Sequence, residues 1–125
     1  MWNYKATATR VVDGDTIDLD VDMGFCVHVN VRCRLYGIDT PETHGVQKNS
    51  DEHKAGMKAT EFVNDWLAQQ NGHEVVIRSY DSGPPRAGKY GRWLVEVFSH
   101  DDKDVSLNEI LIREGLAKNY DGGSR

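Results

Sequence analysis

Two stretches of period-two alternation constrain this chain more than any other feature of it. In residues 16–21, Ile17, Leu19 and Val21 alternate with Thr16, Asp18 and Asp20. In residues 25–32, Phe25, Val27, Val29 and Val31 alternate with Cys26, His28, Asn30 and Arg32. Two is the repeat of a β-strand, and it places the apolar side chains of each run on one face of a sheet. Asp22-Met23-Gly24 supplies a turn between the runs, so they pair as a hairpin whose apolar face must be covered. The second run extends to residue 38 through Leu35, Tyr36 and Ile38. Its apolar parity is expected to change at Cys33–Leu35, which predicts a bulge near Arg32–Cys33. Pro41 then stops the ladder, because it has no N–H to donate, and biases Thr40 towards an extended conformation.

The remaining elements follow from the same signals. Residues 7–12, rich in Thr and Val, read as a first strand, and Asp13-Gly14 as its hairpin turn, with glycine accepting positive φ. Ala55, Ala59, Phe62, Val63, Trp66 and Leu67 recur at helical spacing. This predicts an amphipathic helix over about residues 51–70, capped by Asn49 or Ser50 and stopped by Asn71-Gly72. Residues 74–80, centred on Val75 and Ile77, and residues 93–98, with Trp93, Val95 and Val97 on one face, read as two more strands. Residues 81–91 hold Pro84, Pro85 and glycines, and read as a loop. Ser106-Leu107-Asn108-Glu109 is a capping box for a short helix ending at Gly115. Residues 119–125 carry no core signal and read as a frayed tail. The expectation is a single domain spanning residues 1–125, with a core of about 7–118. Its class is β-rich α+β: a small barrel of five strands with flanking helices.

Fifteen Lys and Arg against twenty Asp and Glu give a net charge of −5. That opposes the basic surface usual in nucleic-acid binders. The imbalance is partly local, since Arg78, Arg86, Lys89 and Arg92 fall close together, and a bound divalent cation would offset some carboxylate charge. Cys26 and Cys33 lack metal-finger spacing, and their odd separation sets them on opposite strand faces. They read as buried free thiols in a reducing compartment. No signal peptide or membrane-length apolar run is visible, so the reading is a cytoplasmic monomer with no membrane partner. Of the tryptophans, Trp66 and Trp93 read as core. Tyr36 and Tyr120 are the better stacking candidates. The histidines show no zinc spacing.

Three short stretches hold the chemistry. Asp13-Gly14-Asp15-Thr16 places carboxylates at a strand start. Arg34 to Glu42 places an arginine in a strand, with Asp39 and Glu42 on the stiff corner beyond it. Gly88-Lys89-Tyr90-Gly91-Arg92 places another arginine at a loop–strand junction. Asp13, Asp15 and Asp39 lie at strand ends that neighbouring strands can bring together, and clustered carboxylates repel unless a cation neutralises them. Hard oxygen ligands suit calcium or magnesium. On residues alone Asp13 is equally a turn residue, and Glu42 a surface glutamate after a proline turn.

Asp-Gly-Asp-Thr, then Arg-x4-Asp-Thr-Pro-Glu, then Lys-Tyr-Gly-Arg, in this order and separation, resembles the staphylococcal-nuclease (thermonuclease) family. Asn108-Glu109 and Gly115 to Lys118 resemble that family's last common helix. The resemblance implies an OB-fold barrel and a calcium-dependent endonuclease that hydrolyses phosphodiester bonds of DNA or RNA and leaves a 3′-phosphate. It implies that Asp15, Asp39 and the Thr40 carbonyl hold Ca2+, with Asp13 a nearby contributor. It makes Glu42 the group that takes a proton from water or orients it; a carboxylate beside a cation is a feeble base. It makes Arg34 and Arg92 a two-arginine clamp on the phosphate. Lys89 and Tyr90 become contacts to a terminal phosphate. The tyrosine-bearing tail and final helix of longer members do not follow Tyr120. Two other readings stand beside this one: an OB-fold module that binds single strands without cutting them, and an acidic calcium-binding interaction domain.

Overall fold

The structure, a computed structural model, describes residues 2–80 and 93–120. Five strands close into a barrel: β1 (Trp2–Asp13), β2 (Thr16–Gly24), β3 (Val27–Leu35), β5 (Glu74–Ser79) and β6 (Trp93–Ser99), in the order β1-β2-β3-β6-β5. All neighbours are antiparallel except β3 and β6. This is the expected OB-type α+β architecture. Closure depends on β1, which pairs with β5 through residues 2–7 and with β2 through residues 6–13. Register shifts between Ala8 and Arg10 and between Val11 and Asp13 let β1 curl from one partner to the other. A two-stranded ribbon of β4 (Ile38–Asp39) and β7 (Lys118–Asn119) lies beside the barrel.

The barrel is filled by alternating rows: Ile17, Leu19 and Val21; Val31, Cys33 and Leu35; Val75 and Ile77; Val95 and Val97. Helix α1 (Asp51–Ala68) adds Ala59, Val63 and Leu67, and α2 (Leu107–Arg113) adds Leu107 and Leu111. Each fully buried leucine contributes roughly 1.5–3 kcal/mol over leaving it in water. Both capping predictions hold. Ser50 Oγ accepts from His53 N–H at 3.1 Å, and Ser106 Oγ from Glu109 N–H at 3.0 Å.

Several expectations are corrected. The expected strand over residues 25–38 divides at Tyr36–Gly37, where Gly37 has φ +81°, into β3 and β4. No bulge interrupts residues 32–33. Val31, Cys33 and Leu35 share one parity, and the β2–β3 register runs unbroken from Asp22–His28 to Thr16–Arg34. The hairpin turns at Phe25–Cys26, both at positive φ, rather than at Asp22-Met23-Gly24. That turn exposes Cys26; Cys33 alone is buried, and burial pushes its thiol up to about 12. Gly14 does not adopt positive φ. A Cβ there would stand 2.8 Å from Ala59 Cβ, so glycine is needed for the close approach of α1. The chain at Asn119 and Tyr120 is not frayed: Asn119 pairs with Ile38, and Tyr120 N–H donates to Gly37 carbonyl at 2.8 Å. Residues 81–92 and 121–125 lie outside the described residues.

One buried polar side chain ties α2 to the strands. Asn108, 4 % exposed, donates through Nδ2 to the carbonyls of Tyr36 (2.9 Å) and Val95 (3.1 Å). Its Oδ1 accepts from Val97 N–H at 3.2 Å. Asn108→Leu keeps the volume but strips partners from buried backbone groups. It is expected to lower stability by about 2–3 kcal/mol in urea unfolding. A change below about 0.5 kcal/mol would show that the three bonds are not worth making.

Candidate active site

The β1–β2 turn, the end of β3 and the corner after β4 meet at one point, and Asp15 holds them together. Leu35 N–H donates to Asp15 carbonyl at 2.8 Å, carrying the β2–β3 ladder one residue beyond Thr16. The Asp15 side chain is almost fully buried. It accepts from Thr16 Oγ1 at 3.1 Å and from Thr40 N–H at 3.2 Å, so one carboxylate fastens the turn to the Thr40–Pro41 corner.

Arg34 reaches the same point from β3. Its Nη2 lies 3.1 Å from Ile38 carbonyl, 3.5 Å from Asp39 Oδ1 and 3.6 Å from Asp15 Oδ2. All three contacts use this one nitrogen. The guanidinium is 7 % exposed as a residue and packs 5.1 Å from the centroid of the Tyr120 ring. A buried arginine between two carboxylates with an aromatic ring over it is fixed in direction, which a surface arginine is not.

The two carboxylates are shifted in opposite directions. Burial alone would raise Asp15. The hydrogen bond from Asp13, the Arg34 charge and Thr40 N–H outweigh it and hold Asp15 below the ordinary carboxylate range. Asp13 moves the other way. Burial, and then its hydrogen bond and charge repulsion with Asp15, push it up to about 6. Two acids crowded in this way favour a nearby cation. Among the described residues no three His, Cys, Asp or Glu side chains gather into a metal-sized group. The donors on offer are hard oxygens on Asp15 and Asp39, the neighbouring Thr40 backbone and Asp13. Such oxygens are of the hard kind that a calcium-type ion takes.

Glu42 follows Pro41, half-buried rather than exposed. Its N–H donates to Glu52 Oε2 of α1 at 3.4 Å. A cleft of about 500 Å³ opens here, and Asp39, Thr40, Glu42, Glu52, Leu116 and Lys118 are among the residues that line it. The ribbon contributes to the lining through the paired Asp39 and Lys118. Asp13, Asp15, Arg34, Asp39, Thr40 and Glu42 are thus gathered at one corner. Lys89, Tyr90 and Arg92 lie outside the described residues.

Sequence reading missed Glu52, Lys118 and Gly56 as parts of this corner, and had Tyr120 as a stacking candidate without its place over Arg34. Gly56 sits mid-helix, where glycine is normally a defect. A Cβ at Gly56 would stand 2.7 Å from Pro41 carbonyl oxygen and 3.0 Å from that of Glu42, so α1 packs directly on the backbone that carries Glu42. Gly56→Ala should gain about 1 kcal/mol in helix propensity yet lose about 1–3 kcal/mol to overpacking. Its melting temperature is expected to fall, and activity with it; a rise would refute the tight approach.

The family model described as staphylococcal nuclease homologue matches residues 32–124. That span contains Arg34, Asp39, Thr40, Glu42, Lys89, Tyr90 and Arg92 and leaves out Asp13 and Asp15. The chain is 38 % identical to a thermonuclease of Staphylococcus intermedius over 109 residues, which is 87 % of this chain and 55 % of that protein. It is 28 % identical to an uncharacterized protein of Methanocaldococcus jannaschii over 94 % of this chain and 60 % of that one. It is 31 % identical to an endonuclease of Bacillus subtilis over 94 % of this chain but only 9 % of the relative. The chain therefore spans little more than half the length of the first two relatives and a small part of the third. With the barrel, the Arg34–Glu42 corner and the match over most of its length, the chain belongs to the family of staphylococcal nuclease homologues.

Proposed function

We propose that this chain is a calcium-dependent endonuclease that hydrolyses phosphodiester bonds of DNA or RNA. The observation that carries the reading is the fixed Arg34 guanidinium, set between Asp15 and Asp39 at the corner that leads to Glu42 and the cleft. The thermonuclease and endonuclease names of two relatives support it.

Asp15, Asp39 and the Thr40 carbonyl would hold the ion, with Asp13 beside it. When bound, calcium would supply positive charge to a phosphate oxygen and lower the barrier to attack. The chain's own residues do the rest. Glu42 holds the attacking water at the cleft and takes its proton as the oxygen bonds to phosphorus. Arg34 already spends Nη2 on the protein, and its remaining donors take equatorial phosphate oxygens as negative charge builds there. Arg92 completes the clamp, and Lys89 and Tyr90 bind a terminal phosphate. The bond from phosphorus to the 5′ oxygen then breaks; that oxygen takes up a proton from solvent and leaves as a hydroxyl, and the product keeps a 3′-phosphate. Burial of Asp15 and Arg34 keeps the clamp pre-aimed, so little reorganisation is needed at the moment of reaction.

Digestion of a plasmid and of an RNA by the purified chain, with calcium and then with chelator, tests this. Cleavage that needs calcium and leaves 3′-phosphate ends is expected. Retention of single strands on the chain without cleavage would favour a binding module, and calcium binding without nucleic-acid binding an acidic interaction domain. Either outcome ends the nuclease reading.

A further inference from the structure

Next to the Arg34 corner the barrel carries two tyrosines for which the phosphate chemistry has no use. Tyr36 follows β3 and Tyr80 follows β5. Their N–H groups donate to β6 at adjacent residues, Tyr36 to Val95 carbonyl at 2.8 Å and Tyr80 to Leu94 carbonyl at 2.9 Å, so the two side chains flank one strand. The inward rows are Cys33 and Leu35, Val95 and Val97, Ile77 and Ser79. By alternation Arg34, Tyr36 and Tyr80 therefore share the outward side of the barrel. The two rings are stacked, with centroids 4.1 Å apart and planes within 4°.

The two members of the stack are held unequally. The Tyr80 hydroxyl donates to the Glu96 carboxylate, and Arg78 lies 3.8 Å from the same carboxylate. Tyr80 is therefore pinned at both ends. Tyr36 has its backbone fixed, through Val95 and through Asn108 Nδ2 on its carbonyl at 2.9 Å, but the residue is 44 % exposed. Tyr80 is a rigid backing, and Tyr36 is a flat plate facing solvent. Plates of this kind bind planar π-faces, and every nucleobase has one. Glu96 behind the plate disfavours the phosphate backbone at this spot and leaves the base as the fitting group. Tyr36 is two residues from Arg34, at most about 7 Å along the chain. That is the scale of a single nucleotide step.

We propose that Tyr36, backed by Tyr80, is a stacking subsite for a nucleobase of single-stranded nucleic acid, adjacent to the phosphate position at Arg34. Only the adjacency rests on the nuclease reading; base binding by the plate does not need turnover. Stacking reads a π-face and not an edge, so the subsite accepts any base with little sequence preference.

Fluorescence anisotropy of a labelled thymidine octamer, at low ionic strength and with chelator present, tests the proposal on the full chain, Tyr36→Phe and Tyr36→Ala. An abasic octamer of the same length serves as the control ligand. Tyr36→Phe is expected to bind like the parent. Tyr36→Ala is expected to bind the thymidine octamer roughly tenfold or more weakly and the abasic strand unchanged. Equal affinity of Tyr36→Ala and parent for the thymidine octamer, an equal loss on both strands, or no binding by the parent would overturn it. Tyr36 lies outside the buried core, and matching melting curves confirm the fold of each variant. The plasmid assay reports separately. Tyr36-dependent binding without cleavage keeps the subsite and ends the nuclease reading; cleavage with Tyr36-independent binding does the reverse.

Discussion

Arg34→Lys is expected to leave the chain folded and to cut kcat by about two to three powers of ten, the scale of losing one transition-state donor. The structure separates the two roles of this side chain. Its charge neutralises Asp15 and Asp39, whose oxygens lie 3.6 Å and 3.5 Å from Nη2. Lysine supplies that charge, so the buried carboxylates keep a counter-ion and the fold survives. Lysine lacks the planar fork, and with Nη2 facing inward only a fork has donors left for phosphate. The loss should fall on kcat more than KM, because the contact strengthens as charge builds on the phosphate. Arg34→Ala should do worse for a different reason: it removes the positive charge beside Asp15 and Asp39 and destabilises the corner. Arg92→Lys is expected to parallel Arg34→Lys. Arg113→Lys, exposed at the end of α2, should change neither rate nor melting temperature. Full kcat in a folded Arg34→Lys would reduce this arginine to a structural counter-ion.

Glu42→Gln is expected to lower the rate by about two to four powers of ten, the usual range for losing a positioned base. The melting temperature should stay nearly unchanged. Glu42 sits beyond the ladder, on a corner fixed by Pro41, by the Thr40 N–H bond to Asp15 and by Gly56 of α1. Its backbone N–H makes the bond to Glu52, and glutamine leaves that bond intact. The glutamine variant also removes a negative charge that acts on Asp13, so no loss of stability is expected. Turnover near that of the parent would make Glu42 an ordinary surface residue.

The parts of this molecule that were legible in the sequence are those written in local patterns. Period-two rows gave β2, β3, β5 and β6, and the Ser50 and Ser106 caps gave both helix starts. Turn signals marked where Asp15, Arg34, Asp39 and Glu42 lie, at or just beyond strand ends; the roles proposed for them came from the family resemblance. The β4–β7 ribbon was not, since two-residue strands carry no periodicity and exist only through each other. The same holds for Tyr120 over Arg34, for the Tyr36–Tyr80 stack and for Asn108 between β3 and β6. Each joins residues far apart in the chain, and nothing in either neighbourhood announces the other. The Phe25–Cys26 turn misled for a different reason. Both residues adopt positive φ, a conformation that two-residue hairpins usually give to Asn-Gly. Gly56 was missed because its cause lies in the Pro41–Glu42 backbone packed against it, not in its own helix.

Calcium titration by isothermal calorimetry, on the full chain and on Asp15→Asn, tests the central assignment most directly. Asparagine preserves the shape of Asp15, keeps one oxygen to accept from Thr40 N–H and can donate its amide to Thr16 Oγ1, while removing the charge that the ion would meet. The parent is expected to bind one calcium ion, and Asp15→Asn to lose that heat at a melting temperature that shows it folded. Equal calcium affinity in the two proteins, or no calcium binding by the parent, would contradict the assignment of the Asp15–Arg34–Asp39 corner as the catalytic centre.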